Sequence, residues 1–211
     1  MIAGLTNLDT LKKHLLATTL QAETRFDQVI TDIGLGVAAQ FENFCNRQFA
    51  RVVDDVATFQ ADRSSFILPR YPVEAITLVE VKQKDSGAWI TQDLELIQSS
   101  SLASGVIYLP EEIDAGRFWH EIRFTFTGGF WWEPLEPDDD GYPSAAPAGA
   151  KPLPNDLRLA FLLHCREIWN KLDKLGAGLV DKPDTQTMLS SLDFPTAVRR
   201  TLLNYQVMQP I

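Results

Sequence analysis

The chain has 211 residues, 45% of them hydrophobic and 22% charged. That composition excludes a disordered or fibrous polypeptide and suffices for a core without metal or disulfide staples. Its 28 acidic residues outweigh 19 basic ones, for a net charge of −9, which argues against a protein that grips nucleic acid, since phosphate affinity comes from Lys and Arg displacing counterions. The apolar runs fall far short of the ~20 residues of a membrane helix, and the opening Met1–Asn7 is read as lacking a secretory leader.

Three segments carry a helical period. Leu8, Leu11 and Leu15 predict a first helix over about 7–18, with Thr6 as its N-cap. Phe26, Ile30, Ile33, Val37, Phe41, Phe44 and Cys45 predict a long second helix over about 22–49, with a bend or a close contact expected at Gly34 and Gly36. A third starts at Pro154-Asn155 and runs to Leu175 on Leu157, Phe161, Cys165, Ile168 and Leu172, and is stopped by Gly176 and Gly178. Cys45 and Cys165 fall inside these stripes without a C-x-x-C, as small buried hydrophobes of a reduced, cytoplasmic history.

Between the second and third helices the period becomes two. Val53, Asp55, Ala57 and Phe59 alternate weakly, Phe66-Ile67-Leu68 is a short apolar run, and Ile76–Lys82 turns at Asp85-Ser86-Gly87 into Trp89-Ile90-Thr91. Val106–Leu109 is another short strand. The clearest is Phe118–Thr127, with Phe118, His120, Ile122, Phe124 and Phe126 on one face. These readings give an α+β fold: a mainly helical bundle with a small antiparallel β-meander inserted between the second and third helices, all in one domain over 1–211. Residues 133–152 hold five prolines and the acids Glu133, Glu136, Asp138, Asp139 and Asp140 without any period, and are expected to form an exposed, poorly held loop. A terminal docking helix and tail occupies 194–211.

Material for catalysis is poor. No nucleophile elbow, zinc-binding helix, phosphate loop or dinucleotide fingerprint occurs, and His14, His120 and His164 sit in separate elements. The acidic run fails as an EF-hand: with Glu136, Asp138 and Asp140 in the first, third and fifth positions, the twelfth is Pro147 where glutamate is required. The chain is therefore read as a non-enzyme without cofactor or metal. Trp119, Phe130, Trp131 and Trp132 form an aromatic group that serves either core packing or a subunit interface.

The order of short motifs resembles the head–tail connector (adaptor, or head-completion) proteins of long-tailed bacteriophages and gene-transfer particles. The similar stretches are Leu5–Lys12, Phe44–Phe49, Leu68-Pro69-Arg70-Tyr71-Pro72-Val73, Ile122–Phe130, Leu153–Ala160, and Phe194–Val198 with Leu202, Leu203 and Tyr205. The 133–152 insertion departs from that pattern. The resemblance implies a virion protein, made in the host cytoplasm, that forms a ring of twelve copies below the portal. It would join the head to the next neck or tail-completion component and pass DNA through its lumen without specific binding. A stopper or tail-completion protein is the alternative, and an enzyme with a hidden carboxylate site a more distant one. Val198, Arg199, Arg200, Leu202 and Tyr205 are the candidate portal-docking residues, although their apolar face has the option of folding back on its own subunit.

Overall fold

The computed structural model describes residues 4–62, 64–94, 98–109, 119–132, 146–174 and 193–207. The chain divides into a helical unit (Met1–Arg47, Trp132–Ala146 and Pro152–Ile211) and a β unit (Gln48–Trp131 and Pro147–Lys151).

In the helical unit α1 spans Leu8–Leu15 and α2 spans Asp27–Cys45. Asn7, not Thr6, caps α1: its side-chain oxygen accepts from the Thr10 amide at 2.8 Å. The stop of α2 comes four residues before the expected Phe49 because Asn46 turns left-handed at φ 52°, a conformation asparagine tolerates. Gly4, at φ 75°, lies on α2, where an added Cβ would stand 2.3 Å from the Gly34 carbonyl oxygen. The close contact expected around Gly34 is thus made by the N-terminal segment. α3 spans Asn155–Lys174 and α4 spans Thr196–Leu203. Phe26 meets Trp169 edge-on at 5.9 Å while Phe41 meets Phe161 at 6.1 Å, so α2 and α3 run antiparallel. Burial of Ile30, Ile33, Val37, Phe41, Cys45, Leu157, Phe161, Cys165 and Ile168 makes the core between them.

The β unit corrects the expected fold class. Strands β1 (Val52–Gln60), β3 (Val73–Gln83), β4 (Trp89–Thr91) and β7 (Trp119–Gly128) form one antiparallel sheet in the order β1-β7-β3-β4. Strands β2 (Ser65–Ile67), β5 (Gln98–Ser101) and β6 (Val106–Tyr108) form a second, ordered β2-β6-β5. The short β8 (Phe130–Trp131) pairs with β9 (Lys151–Pro152). The molecule is therefore not a mainly helical bundle with a small β-meander. Its larger sheet is substantial, and β7 lies between β1 and β3, so the chain order is not the sheet order. Bulges break the alternation that would mark the sheet in the sequence: the register shifts between Val52 and Asp55, where Asp54 adopts φ 52°, and at three points along β3.

Phe66, Leu68, Val79, Val81, Ile107, Ile122, Phe124 and Phe126 form the core of this unit, drawn from both sheets. In β7 the inward row starts at Ile122; His120 is exposed, and Phe118 lies outside the described residues. The turn through 85–87 joins β3 to β4 as expected.

Candidate functional site

The Pro-rich stretch Leu68–Val73 connects β2 to β3 and is organised by side chains. With Pro69 and Pro72 lacking backbone donors, the segment contributes carbonyls instead: Pro69 accepts from the Gln48 amide at 2.8 Å and Pro72 from the Gly129 amide at 2.9 Å. Arg70, buried between them, donates to the Asp55 carboxylate at 2.9 Å and also to the Ala50 carbonyl and the Gln48 side chain. Arg51 makes a two-pronged pair with Glu74 at 2.7 and 2.8 Å, both side chains nearly inaccessible. Gly129 sits at φ 100°, and a Cβ there would stand 2.4 Å from the Ala50 carbonyl oxygen. That close approach lets Phe130 donate its amide to the Phe49 carbonyl at 2.8 Å. The motif thus joins the 48–51 segment to the sheet. Neither arginine was singled out from the sequence; the signal available was a cation beside prolines or just before a strand rich in acids.

The outer face of the larger sheet is ionic. Lys82 pairs with Glu121 at 2.9 Å, Arg123 pairs with Glu80 at 2.6 Å, and the Arg123 guanidinium lies 4.4 Å from the centre of the Trp89 ring. The hydrogen bond from Lys82 is the main cause holding the Glu121 carboxyl below its ordinary range. Opposite charges meet across neighbouring strands, so this face carries little net charge.

The four aromatic interface candidates do not form one patch. Trp119 begins β7 and packs on the β core, about 30 Å of strand away from the Gly128 end. Phe130 is buried with its ring stacked on Phe49 at 6.5 Å. Trp131 is half-buried, and its indole nitrogen finds no hydrogen-bond partner among the described residues. Trp132 is buried and belongs to the helical unit. The acidic candidates Glu133, Glu136, Asp138, Asp139 and Asp140 lie outside the described residues, which resume at Ala146.

At the other candidate surface, α4 divides its residues cleanly. Val198 and Leu202 are buried in their own helical unit, whereas Arg199, Arg200 and Leu203 are exposed. The helix is held at both ends. Before it, the Phe194 ring lies 5.6 Å from Phe41, 5.3 Å from Phe44 and 5.1 Å from His164. After it, the Val207 amide donates to the Cys45 carbonyl at 2.9 Å, and the Tyr205 hydroxyl donates to Asp156 at 2.7 Å. Burial and the Asp156 carboxylate raise the Tyr205 phenol well above its ordinary range, so it remains a donor. The five docking candidates therefore split into a pair anchored inward, an exposed arginine pair and a latch.

His164 is fully buried in this packing. Its Nε2 lies 3.2 Å from the Gln40 side-chain oxygen, its ring stacks on Phe41 at 6.1 Å, and Nδ1 has no hydrogen-bond partner among the described residues, with Glu167 at 4.0 Å. Burial lowers its pKa, keeping it neutral. His14, on α1, is lowered by burial and by nearby Arg166. Burial also pushes the Cys45 thiol up to about 12 and raises Cys165, so neither is a poised nucleophile. Among the described residues no group of three or more His, Cys, Asp or Glu is placed to hold a metal ion, and no helix is long and apolar enough to cross a membrane.

The fold of this chain is similar to that of solved structures. A chain from the neck of an empty gene transfer agent (GTA) particle, computed with C6 symmetry, aligns with a TM-score of 0.56 over 97% of this chain and 90% of that one, at 14% identity. The similarity is one of fold. A chain from the virion of a native GTA particle aligns at 0.52 with 13% identity over the same shares, 97% and 90%. One from the neck of a native particle computed with C12 symmetry aligns at 0.50 and 14% over 100% of this chain and 94% of that one. No protein-family model matches the chain, and no curated protein matches it.

Proposed function

We infer that this chain is a structural, non-enzymatic component of the neck of a phage-like particle. The reading is of a head–tail connector whose copies, twelve in number, close into a ring below the portal. The carrying observation is the near-complete, two-way coverage of a chain from the neck of a GTA particle, helical and β units together. The order of motifs along the sequence points the same way. Net charge supports it too: a ring wall with −9 per subunit repels a passing duplex and makes a poor DNA-binding surface.

Portal attachment is assigned to the outward side of α4. Arg199, Arg200 and Leu203 are exposed there, while Val198 and Leu202 fix the helix from within. Such an arginine pair acts mainly on encounter and register with an acidic rim. The other side of the ring would receive the next neck or tail-completion component. Because Phe194, Val198 and Leu202 are part of the helical core, truncation is a poor probe of docking; charge reversal at the surface is the better one. Arg199→Glu with Arg200→Glu is expected to leave the melting temperature within a few degrees and to weaken binding to portal-bearing heads at least tenfold. Unchanged occupancy of the heads would remove α4 as the docking element.

A further inference from the structure

We propose that neighbouring copies join head to tail through α2 of one copy and α3 of the next. This rests on the ring-forming reading above and names the contact that would make it. In a soluble helical unit the apolar residues face inward, yet Leu159 and Leu163 of α3 are 55% and 44% exposed, one turn apart on a single face. Arg166 continues that stripe and is also exposed. On α2, Leu35 is 50% exposed and lies between half-buried Asp32 and exposed Ala39. Each stripe is the exposed side of its helix, the Arg166 end of the α3 stripe lying near His14 of α1.

The two stripes match when laid antiparallel. Asp32, Leu35 and Ala39 are spaced by three and then four residues. Read backwards, Arg166, Leu163 and Leu159 have the same spacing, the three-four step of packed helical seams. The alignment sets Asp32 against Arg166, Leu35 against Leu163 and small Ala39 against Leu159. Asp32 and Arg166 each enter no ion pair among the described residues. Asp32 accepts a 2.9 Å hydrogen bond from its neighbour Gln28.

Direction also fits. Within one copy α2 and α3 are antiparallel, as the Phe26–Trp169 and Phe41–Phe161 contacts require. A rotation about an axis roughly along these helices carries α3 of the next copy beside α2 in the same antiparallel sense. Two different patches meeting in this way make a heterologous contact, which propagates and closes as a ring when the rotation permits. Few apolar side chains, Leu35 against Leu163 and Leu159, meet at each contact, so assembly is expected to be concentration-dependent.

The test uses the full chain with single cysteines on the two stripes, since native Cys45 and Cys165 are buried. A mixture of Leu35→Cys and Leu163→Cys chains should cross-link into mixed dimers with a short bismaleimide, while either alone should not. A chain carrying both substitutions should give a ladder of oligomers. Leu163→Asp should weaken self-association at least tenfold without shifting the melting temperature. Asp32→Arg should weaken it severalfold, and adding Arg166→Asp to that variant should restore it. Dimers from Leu163→Cys alone, as efficient as from the mixture, would indicate an α3–α3 contact and overturn the proposal. Self-association of the Leu163→Asp chain as strong as that of the wild type would overturn the contact and spare the ring. A wild-type chain that self-associates neither in solution nor on heads would overturn both.

Discussion

In the β unit the buried charges are bonded: Arg51 to Glu74, and Arg70 to Asp55, Gln48 and the Ala50 carbonyl. In the helical unit the fully buried His164 is instead kept neutral among Phe41, Phe194 and Gln40. The difference follows from backbone accounting. Helices satisfy their own amides and carbonyls, so their core can be apolar and aromatic. The irregular 48–51 and 68–72 segments of the β unit have few ladder partners, and Arg70 supplies a donor to the Ala50 carbonyl. A buried cation of the helical unit obeys the same rule: Lys12, in the last turn of α1, donates to the Glu23 carbonyl at 2.8 Å and to Asp27.

This contrast can be broken at several points. Phe41 is fully buried and touches Phe161, His164 and Phe194, so Phe41→Ala is expected to cost about 4 kcal/mol through the cavity it leaves. Chemical denaturation measures it, and a loss below about 1 kcal/mol would mean the aromatic cluster is not the core of the unit. Arg51→Ala should cost about 3 kcal/mol because it strands Glu74 in a buried position. Replacing both, Arg51→Met with Glu74→Leu, should recover most of that loss; if it does not, the pair contributes more than mutual neutralisation.

A pH titration separates the two units further. His164 and His14 have folded-state pKa values lowered by burial, so the unfolded chain takes up more protons below its ordinary histidine pKa of about 6.5. Their contribution to stability is therefore present above about pH 6.5 and lost as pH falls through the folded values. Thermal melts between pH 7.5 and 5 should show this decline, and His164→Gln should flatten it while His14 retains its share. An unchanged slope in that variant would place His164 outside the switchable core. The smallest effect is expected from Tyr205→Phe, which removes the 2.7 Å hydrogen bond to Asp156 at the surface and should cost about 0.5 kcal/mol. Hydrogen exchange at 204–207 is its sensitive readout, with faster exchange expected there and none elsewhere.

Much of the helical unit was legible in the sequence, because apolar residues at three- and four-residue spacing mark a helix directly. The stripe from Phe26 to Cys45 located α2, and Pro154-Asn155 located the start of α3 to the residue. Its errors lay at the helix ends: a cap at Asn7, an α2 that starts at Asp27 rather than near 22, and a left-handed Asn46 that ends it early. Strand pairing was less legible. The insertion of β7 between β1 and β3 depends on contacts remote in sequence, and the bulge at Asp54 hid the alternation of β1. The same holds for the candidate surfaces. Periodicity placed Val198, Leu202 and Tyr205 on one face of a helix, but only packing decides that Val198 and Leu202 face inward and that the arginine pair remains outside. The buried arginines are not legible in the sequence, because a cation reads as surface until the fold brings its partners together.

The central claim is that this chain is a ring-forming neck component. The most direct measurement is a cryo-EM reconstruction of the neck of particles that carry it, calculated without imposed symmetry. The account predicts a closed ring coaxial with the DNA channel. Each subunit would show helical and β units of this fold, with α4 towards the head and α2 against the neighbouring α3. Particles whose neck is complete without this chain, or that hold it as isolated copies elsewhere on the shell, would contradict the account.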